Sequence, residues 1–412
     1  MERAILHSDM NSCYANIELL HHPELRGTPL AVGGDVEARH GIILAKDELA
    51  KKAGVKTGMA LWQARQLCPK INILSPRMDL YLRFSRMANE IYGDYTDQIE
   101  RFGIDESWLD VTHSGTLGTG ESIAEEIRQR VKLELGVTVS VGVSWNKIFA
   151  KLGSDYKKPD AVTVIRKGSY QDIVWPMPVD DLLYVGRATG RKLHGVGVHT
   201  IGQLAAMNPE YLNRKFGKIG YMLHAFANGA DVSPVSHENE EPIIKSIGNS
   251  TTTPRDLICD ADAYIVFLTL AESVGARLRE NGFKGNVIEI SVRDNELSWF
   301  TRQKKLAGPT DITSEILDCA MELFRSNYRW QKPIRSLGIR ASSLVPANCY
   351  EQLDLFTDND KRDRQRLLDA AVDDIRRRFG YAGIQRGTAL TDFRLGSLNA
   401  REDHVVHPVG FL

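Results

Sequence analysis

The 412-residue chain is 25% charged and 42% hydrophobic, with a formal net charge of −1. A chain this long buries several cores rather than one, and its near-neutral balance excludes a polycationic nucleic-acid binder, leaving such binding to local basic patches. No run approaches the roughly 18 apolar residues of a membrane helix, "MERAILHSDMNSCY" carries no signal-peptide core, and five scattered cysteines without C-x-x-C spacing speak against zinc or disulfides, so the expectation is a cytoplasmic protein.

In chain order, "RAILHSDM" reads as a buried strand ending in Asp9, and "NSCYANIELL" takes helical spacing through Tyr14, Ile17 and Leu20. "GVKTGMALWQARQLCP" gives a glycine turn and an amphipathic helix that Pro69 helps to end. A longer helix, "DLYLRFSRMANEIYGDYTDQI", leads into "FGIDESWLD", where Asp105 and Glu106 interrupt an apolar run. Ionised carboxylates beside Phe102, Ile104 and Trp108 cost free energy unless Arg or Lys pairs with them or a hairpin tip lies in water. Strand alternation sends neighbours to opposite faces, so the two acids can act together only if a turn or bulge lies there. "ESIAEEIRQRVKLELG" reads as a helix ending at Gly136, and "VTVSVGVS" as a buried β-branched strand. Residues 1–10 and 77–166 thus form an α+β domain interrupted by the small segment 11–76. Three carboxylates, Asp9, Asp105 and Glu106, without His or Cys partners suit Mg²⁺ rather than zinc, and clustered acids of this kind serve phosphoryl transfer.

"HSDMNSCY", "FGIDESWLDVT" and "VGVSWNKIFAKLGSDYKKP" together resemble the palm motifs of the Y-family translesion DNA polymerases, nearest to the bacterial DNA polymerase IV type, and the likeness extends over nearly the whole chain. It implies a multi-domain α+β right hand: palm (1–10 and 77–166), small fingers (11–76), helical helix-hairpin-helix thumb (167–236), linker (237–242) and β-α-β-β-α-β little finger (243–346). It also implies a catalytic pair, Asp105 and Glu106, and two Mg²⁺ ions held by Asp9, the Met10 carbonyl, Asp105 and Glu106. Tyr14 falls at the steric gate against a 2'-hydroxyl and Lys158 at a triphosphate contact, with Asp155 and Asn146 supporting that loop. The fingers depart from the pattern. Ala45, Glu48 and Lys51 stand where the family has a small hydroxyl residue, a Tyr and an Arg; Lys51 cannot offer the bidentate fork of Arg, and Glu48 repels phosphate unless it turns away. Asn11, Ser12 and Cys13 replace the commoner acidic and aromatic residues.

"DLLYVGRATGRKLHGVGVHTIGQLA" resembles the thumb helix-hairpin-helix, whose glycine turns offer N–H groups to a DNA phosphate, with Arg187, Arg191 and Lys192 alongside. From Leu183 to His224 six Lys or Arg face one acid, Glu210. The linker "HENEEP" precedes strands at "IIKSIGNSTTT", "NVIEISVRD", "SWFTRQKKL" and "IRSLGIRASSL", with helices near 261–281 and 311–328. Period two puts Arg302 and Lys304 on one strand face, suited to the DNA backbone. In the tail, residues 347–412, "QLDLF" (Gln352, Leu353, Leu355, Phe356) resembles a sliding-clamp docking peptide, 361–379 is expected as a helix on the body, and 381–412 as largely disordered. The resemblance implies a low-fidelity, DNA-templated translesion polymerase working on primer-template DNA and deoxynucleoside triphosphates, tethered to the sliding clamp, with no membrane contact and as a monomer. Two rivals are a palm-type nucleotide cyclase, which has no use for "QLDLF", and a non-catalytic clamp-bound accessory protein, which has no use for the acids.

Overall fold

The computed structural model describes residues 3–34, 39, 41–240, 243–349 and 358–398. They fall into two units, one of residues up to 241 apart from 34–42, the other of 34–42 and 242 onward. The first unit runs β1 (Ile5–Met10), α1 (Cys13–His21), β2 (Leu30–Gly33), β3 (Ile43–Lys46), α2 (Glu48–Lys52), α3 (Leu61–Leu67), β4 (Asn72–Leu74), α4 (Met78–Gly93), β5 (Ile99–Arg101), β6 (Glu106–Asp110), α5 (Gly120–Arg130), β7 (Val139–Ser144), α6 (Lys147–Tyr156) and β8 (Val162–Val164). A five-stranded sheet has the order β5-β6-β1-β7-β8, and a three-stranded sheet the order β3-β2-β4.

Strand β1 is buried on both faces, which is why its sequence lacks the alternation of a half-exposed strand. Leu6 and Met10 join the large core with Ile17, Tyr81, Leu109, Ile123 and Val139, while Ile5 packs with Trp108 and Ala150 on the other face. Helix α6 starts at an Asn146 cap that accepts from the Phe149 N–H at 2.8 Å, and it lies so close to β7 that a Cβ on Gly142 would stand 1.8 Å from the Ala150 carbonyl oxygen. Helix α1, expected with the small segment, packs through Cys13 and Ile17 into the large core. The small sheet divides its faces, sending Val32 and Ala45 to that core and Ala31 and Ile43 to a smaller one with Ala50, Val55 and Leu61. Five further helices, α7 (Tyr170–Val174), α8 (Arg187–His194), α9 (Ile201–Ala205), α10 (Pro209–Phe216) and α11 (Lys218–Ala227), close around a core that includes Leu193, Ile201, Leu204 and Leu223.

The second unit has the expected order: β9 (Ser246–Leu257), α12 (Asp260–Glu280), β10 (Phe283–Asp294), β11 (Trp299–Thr310), α13 (Thr313–Asn327) and β12 (Ile334–Pro346). Its antiparallel sheet, β11-β10-β12-β9, buries Ile288, Ile290, Leu337 and Ile339 with apolar residues of α12 and α13. Arg302 and Lys304 do share a face, but it is this helix-side face, since they pair in register with Ile290 and Ile288. Arg302 donates to Asn327 Oδ1 at 3.1 Å and Lys304 to Glu322 at 2.6 Å, both partners on α13. The side chains of Thr301, Gln303 and Lys305 alternate to the opposite face. The expected tail helix is α14 (Asn359–Phe379). Contrary to the expected disorder, residues 381–398 fold into short helical turns ending in α15 (Phe393–Gly396). Buried charge holds them: Glu272 accepts from Arg376 at 2.9 Å and Arg386 at 3.0 Å, and Asp369 accepts from Arg386 at 3.1 Å and the Thr313 N–H at 2.7 Å. Gln352, Leu353, Leu355 and Phe356 lie outside the described residues. Among the described residues no helix is long and apolar enough to cross a membrane.

Candidate active site

Antiparallel pairing of β1 with β6 sets Asp9 directly opposite Glu106. Such partners project to the same face, so the two carboxylates lie on one side of the sheet. Asp105 precedes the first residue of β6 in a bend, with its carbonyl accepting from the Met10 N–H at 2.9 Å. Standing outside the strand frees it from the alternation that would have sent it to the far face with Ser107. The three acids border one cavity of about 410 Å³, whose lining includes Met10, Tyr14, Ala45, Lys46, Glu48, Lys51, Thr57 and Lys158.

Each acid has a different electrostatic setting. Burial raises the Asp9 carboxyl to about 7, aided by Glu106 and Asp105, although Lys158 Nζ at 2.7 Å works against the rise. Asp105 also lies above the usual range, through burial and then the Glu106 charge. Burial would raise Glu106 as well, yet His7 and Lys151 hold it down at about 2. The Lys151 contact is the firm one: its Nζ stands 2.7 Å from Glu106 Oε2, whereas His7 Nε2 is 3.6 Å away, beyond a hydrogen bond. His7 is buried, with Nδ1 2.8 Å from Ser154 Oγ and its ring edge-on to Trp108.

Among the described residues no three His, Cys, Asp or Glu side chains are arranged to hold a metal ion. The expected ligand set is therefore not preformed, because Asp9 and Glu106 are each turned onto an ammonium. The donor chemistry still fits a hard divalent cation: three carboxylates close enough to disfavour one another's charge, and the oxygen of Met10 on the same strand.

Tyr14 lies flat on Tyr81, ring centroids 4.3 Å apart, and the Tyr81 hydroxyl donates to buried Glu18 at 2.6 Å. Arg77 also pairs with Glu18, so the Tyr14 ring rests on a pinned support. Asp155 accepts from Lys158 at 2.8 Å. Asn11 anchors the same loop, its Oδ1 accepting from the Asp160 N–H at 2.8 Å. Lys51 borders the cavity but sits 3.3 Å from Glu48 on the exposed side of α2. Arg187, Arg191 and Lys192 are exposed on α8. The amides of residues 195–198 in the turn after α8 bond to carbonyls of that helix, so this glycine turn does not offer them to phosphate; the start of α8, capped by Gly186 with no side-chain bond, is the freer end. Sequence reasoning missed His7, Lys46, Thr57 and Lys151. His7, Thr57 and Lys151 lie within stretches already singled out and Lys46 follows Ala45, and the missing signal was packing: each reaches the site only through a neighbouring strand, helix or loop.

The chain matches the impB/mucB/samB family over residues 8–155 and that family's C-terminal domain over residues 244–355, with a "DNA polymerase-iota, thumb domain" match over residues 180–231. It is 51% identical over 393 residues to DNA polymerase IV of Acetivibrio thermocellus, covering 95% of this chain and 98% of that one. It is 38% identical to DNA polymerase IV 1 of Bacillus subtilis, covering 94% of this chain and 93% of the relative. Among solved structures, a Y-family DNA polymerase chimera superposes with a TM-score of 0.72 at 24% identity, covering 83% of this chain and 99% of that one.

Proposed function

The chain belongs to the Y-family DNA polymerases of the bacterial DNA polymerase IV type, and on that premise we propose that the acid-lined cavity is where a deoxynucleotide joins a primer 3' end by two-metal phosphoryl transfer at low fidelity. The protein is a DNA-directed translesion DNA polymerase, with primer-template DNA and deoxynucleoside triphosphates as substrates. The observation that carries the proposal is the register placing Asp9 opposite Glu106, with Asp105 in the adjoining bend.

In this reading Asp9, Asp105, Glu106 and the Met10 carbonyl hold Mg²⁺. Bound there, two divalent ions supply an activated primer hydroxyl and neutralise the leaving pyrophosphate. Lys158, now on Asp9, turns to the triphosphate, where an ammonium point charge is suited to phosphate. Lys51, on α2 across the cavity lining, is a weaker contact. Tyr14, resting on Tyr81, closes the space a 2'-hydroxyl would need. Arg187, Arg191 and Lys192 bind backbone phosphates. Arg302 and Lys304 do so only by exchanging Asn327 and Glu322 for DNA. The first unit then comprises palm, thumb and the fingers apart from 34–42, the second includes the little finger, with Gln352, Leu353, Leu355 and Phe356 tethering a monomer to the sliding clamp. Extension of a labelled primer on a primed template, with Mg²⁺ and four deoxynucleotides, tests the proposal. Template-directed products are expected; DNA binding without extension favours the accessory protein instead.

A further inference from the structure

Lys46 ends β3, opposite Ala31 of β2. Its neighbour Asp47 caps α2 by accepting from the Ala50 N–H at 2.8 Å and also accepts from the Leu30 N–H at 3.1 Å, which fixes the backbone on which Lys46 is carried. The loop after α2 returns through Gly54 and Gly58, at φ of 89° and 80°, a region that glycine enters without strain. The Gly58 N–H donates to the Ile43 carbonyl at 2.8 Å, and this clasp lays Thr57 beside the strand. There Lys46 Nζ donates to Thr57 Oγ1 at 3.2 Å, and both residues line the cavity of the three acids.

Three ammonium groups border that cavity, and they are not equivalent. Lys158 is bound to Asp9 and Asp155, and Lys51 to Glu48. Among the described residues, Lys46 has a neutral hydroxyl as its hydrogen-bond partner. Burial and then the charge of Lys51 push its pKa down, with the Glu48 charge opposing. An ammonium has three donors and no acceptor, so two remain after Thr57 is served; the Thr57 hydroxyl, accepting from Lys46, still has its own proton to give. The pair therefore offers two N–H donors, an O–H donor and a positive charge, which complement a phosphate.

We propose that Lys46 and Thr57 form the phosphate seat of the fingers, holding the outer phosphates of the incoming nucleoside triphosphate in place of the bidentate contact that Lys51 cannot make. The proposal rests on the cavity being the polymerase site. It assigns Lys51 a secondary part, since Glu48 competes for it.

The test uses the full-length protein and single-nucleotide incorporation at varied deoxynucleotide concentration, with direct calorimetric titration of inorganic tripolyphosphate in Mg²⁺ as a second readout. Lys46→Ala and Lys46→Gln, the latter keeping most of the stem, are each expected to raise KM for nucleotide and weaken tripolyphosphate binding about tenfold, with kcat and primer-template affinity within about twofold. Thr57→Val should cost about threefold and Lys51→Ala less than Lys46→Ala, whereas Lys46→Arg should recover most of the loss. Unchanged KM and unchanged tripolyphosphate binding in a folded Lys46→Gln variant of an enzyme that extends primers would overturn the seat and leave the polymerase reading intact. A wild-type protein that extends no primer overturns that reading, and tripolyphosphate binding then decides separately whether Lys46 holds phosphate.

Discussion

The two walls of the cavity are charged by different rules. On the strand wall, Asp9 and Glu106 are fixed by register, each with its own ammonium, and Asp9 is only 6% exposed. On the finger wall, Glu48 and Lys51 are roughly half exposed and form a one-turn pair on a five-residue helix. An exposed pair of that kind contributes about 0–1 kcal/mol, whereas a buried charge is expensive to leave without its partner. Residues on the strand wall therefore have little room to vary without loss of geometry, while those on the finger wall can change and shift affinity alone. That contrast matches the sequence, which keeps the acids of the family pattern and departs from it at Ala45, Glu48 and Lys51.

The contrast can be broken or sharpened by experiment. The largest effect is expected from removing divalent ions: excess chelator should slow primer extension by about 10⁴-fold or more, and Mg²⁺ should restore it. Extension that survives chelation would take the strand wall out of the chemistry. The same rule of buried against exposed charge can be read as stability in the second unit. Asp369, 2% exposed, serves Thr313 and Arg386, and Asp369→Ala should cost about 3–5 kcal/mol in urea unfolding. Glu48→Ala should cost no more than about 0.5 kcal/mol, and equal losses would dissolve the distinction. Tyr14→Ala, which clears the gate without touching either wall, should reduce discrimination against ribonucleotides about 100-fold, or ~2.7 kcal/mol. Retained discrimination would place the gate elsewhere. Lys51→Arg is the smallest change, lowering KM for nucleotide by about two- to threefold through a forked phosphate contact; an unaltered KM would mean that Lys51 does not reach the triphosphate.

What was legible in the sequence follows the same division. Asp9, Asp105 and Glu106 could be read because each sits at a strand end or bend inside an apolar run, and the need for a break between Asp105 and Glu106 followed from alternation alone. Lys46 could not, because nothing in "LAKDEL" says that a glycine-flanked loop will bring Thr57 to it. His7 and Lys151 serve Glu106 from another strand and a helix, so their roles exist only after packing. Period two did place Arg302 and Lys304 together, but it cannot say which face the helices cover. The fold of 381–398 was missed for a related reason: the segment shows no helical or strand period, and it is held only once Arg386 and Asp392 find Glu272, Asp369 and Arg255.

The central claim, that the strand wall carries out the chemistry without holding the duplex, is tested most directly by measuring primer-extension rate and primer-template affinity side by side in wild type, Asp105→Ala and Glu106→Ala. Each variant should lose extension by about 10³-fold or more while its Kd for DNA stays within about twofold. Extension within tenfold of wild type, or a loss of DNA binding that accounts for the lost rate, would contradict it.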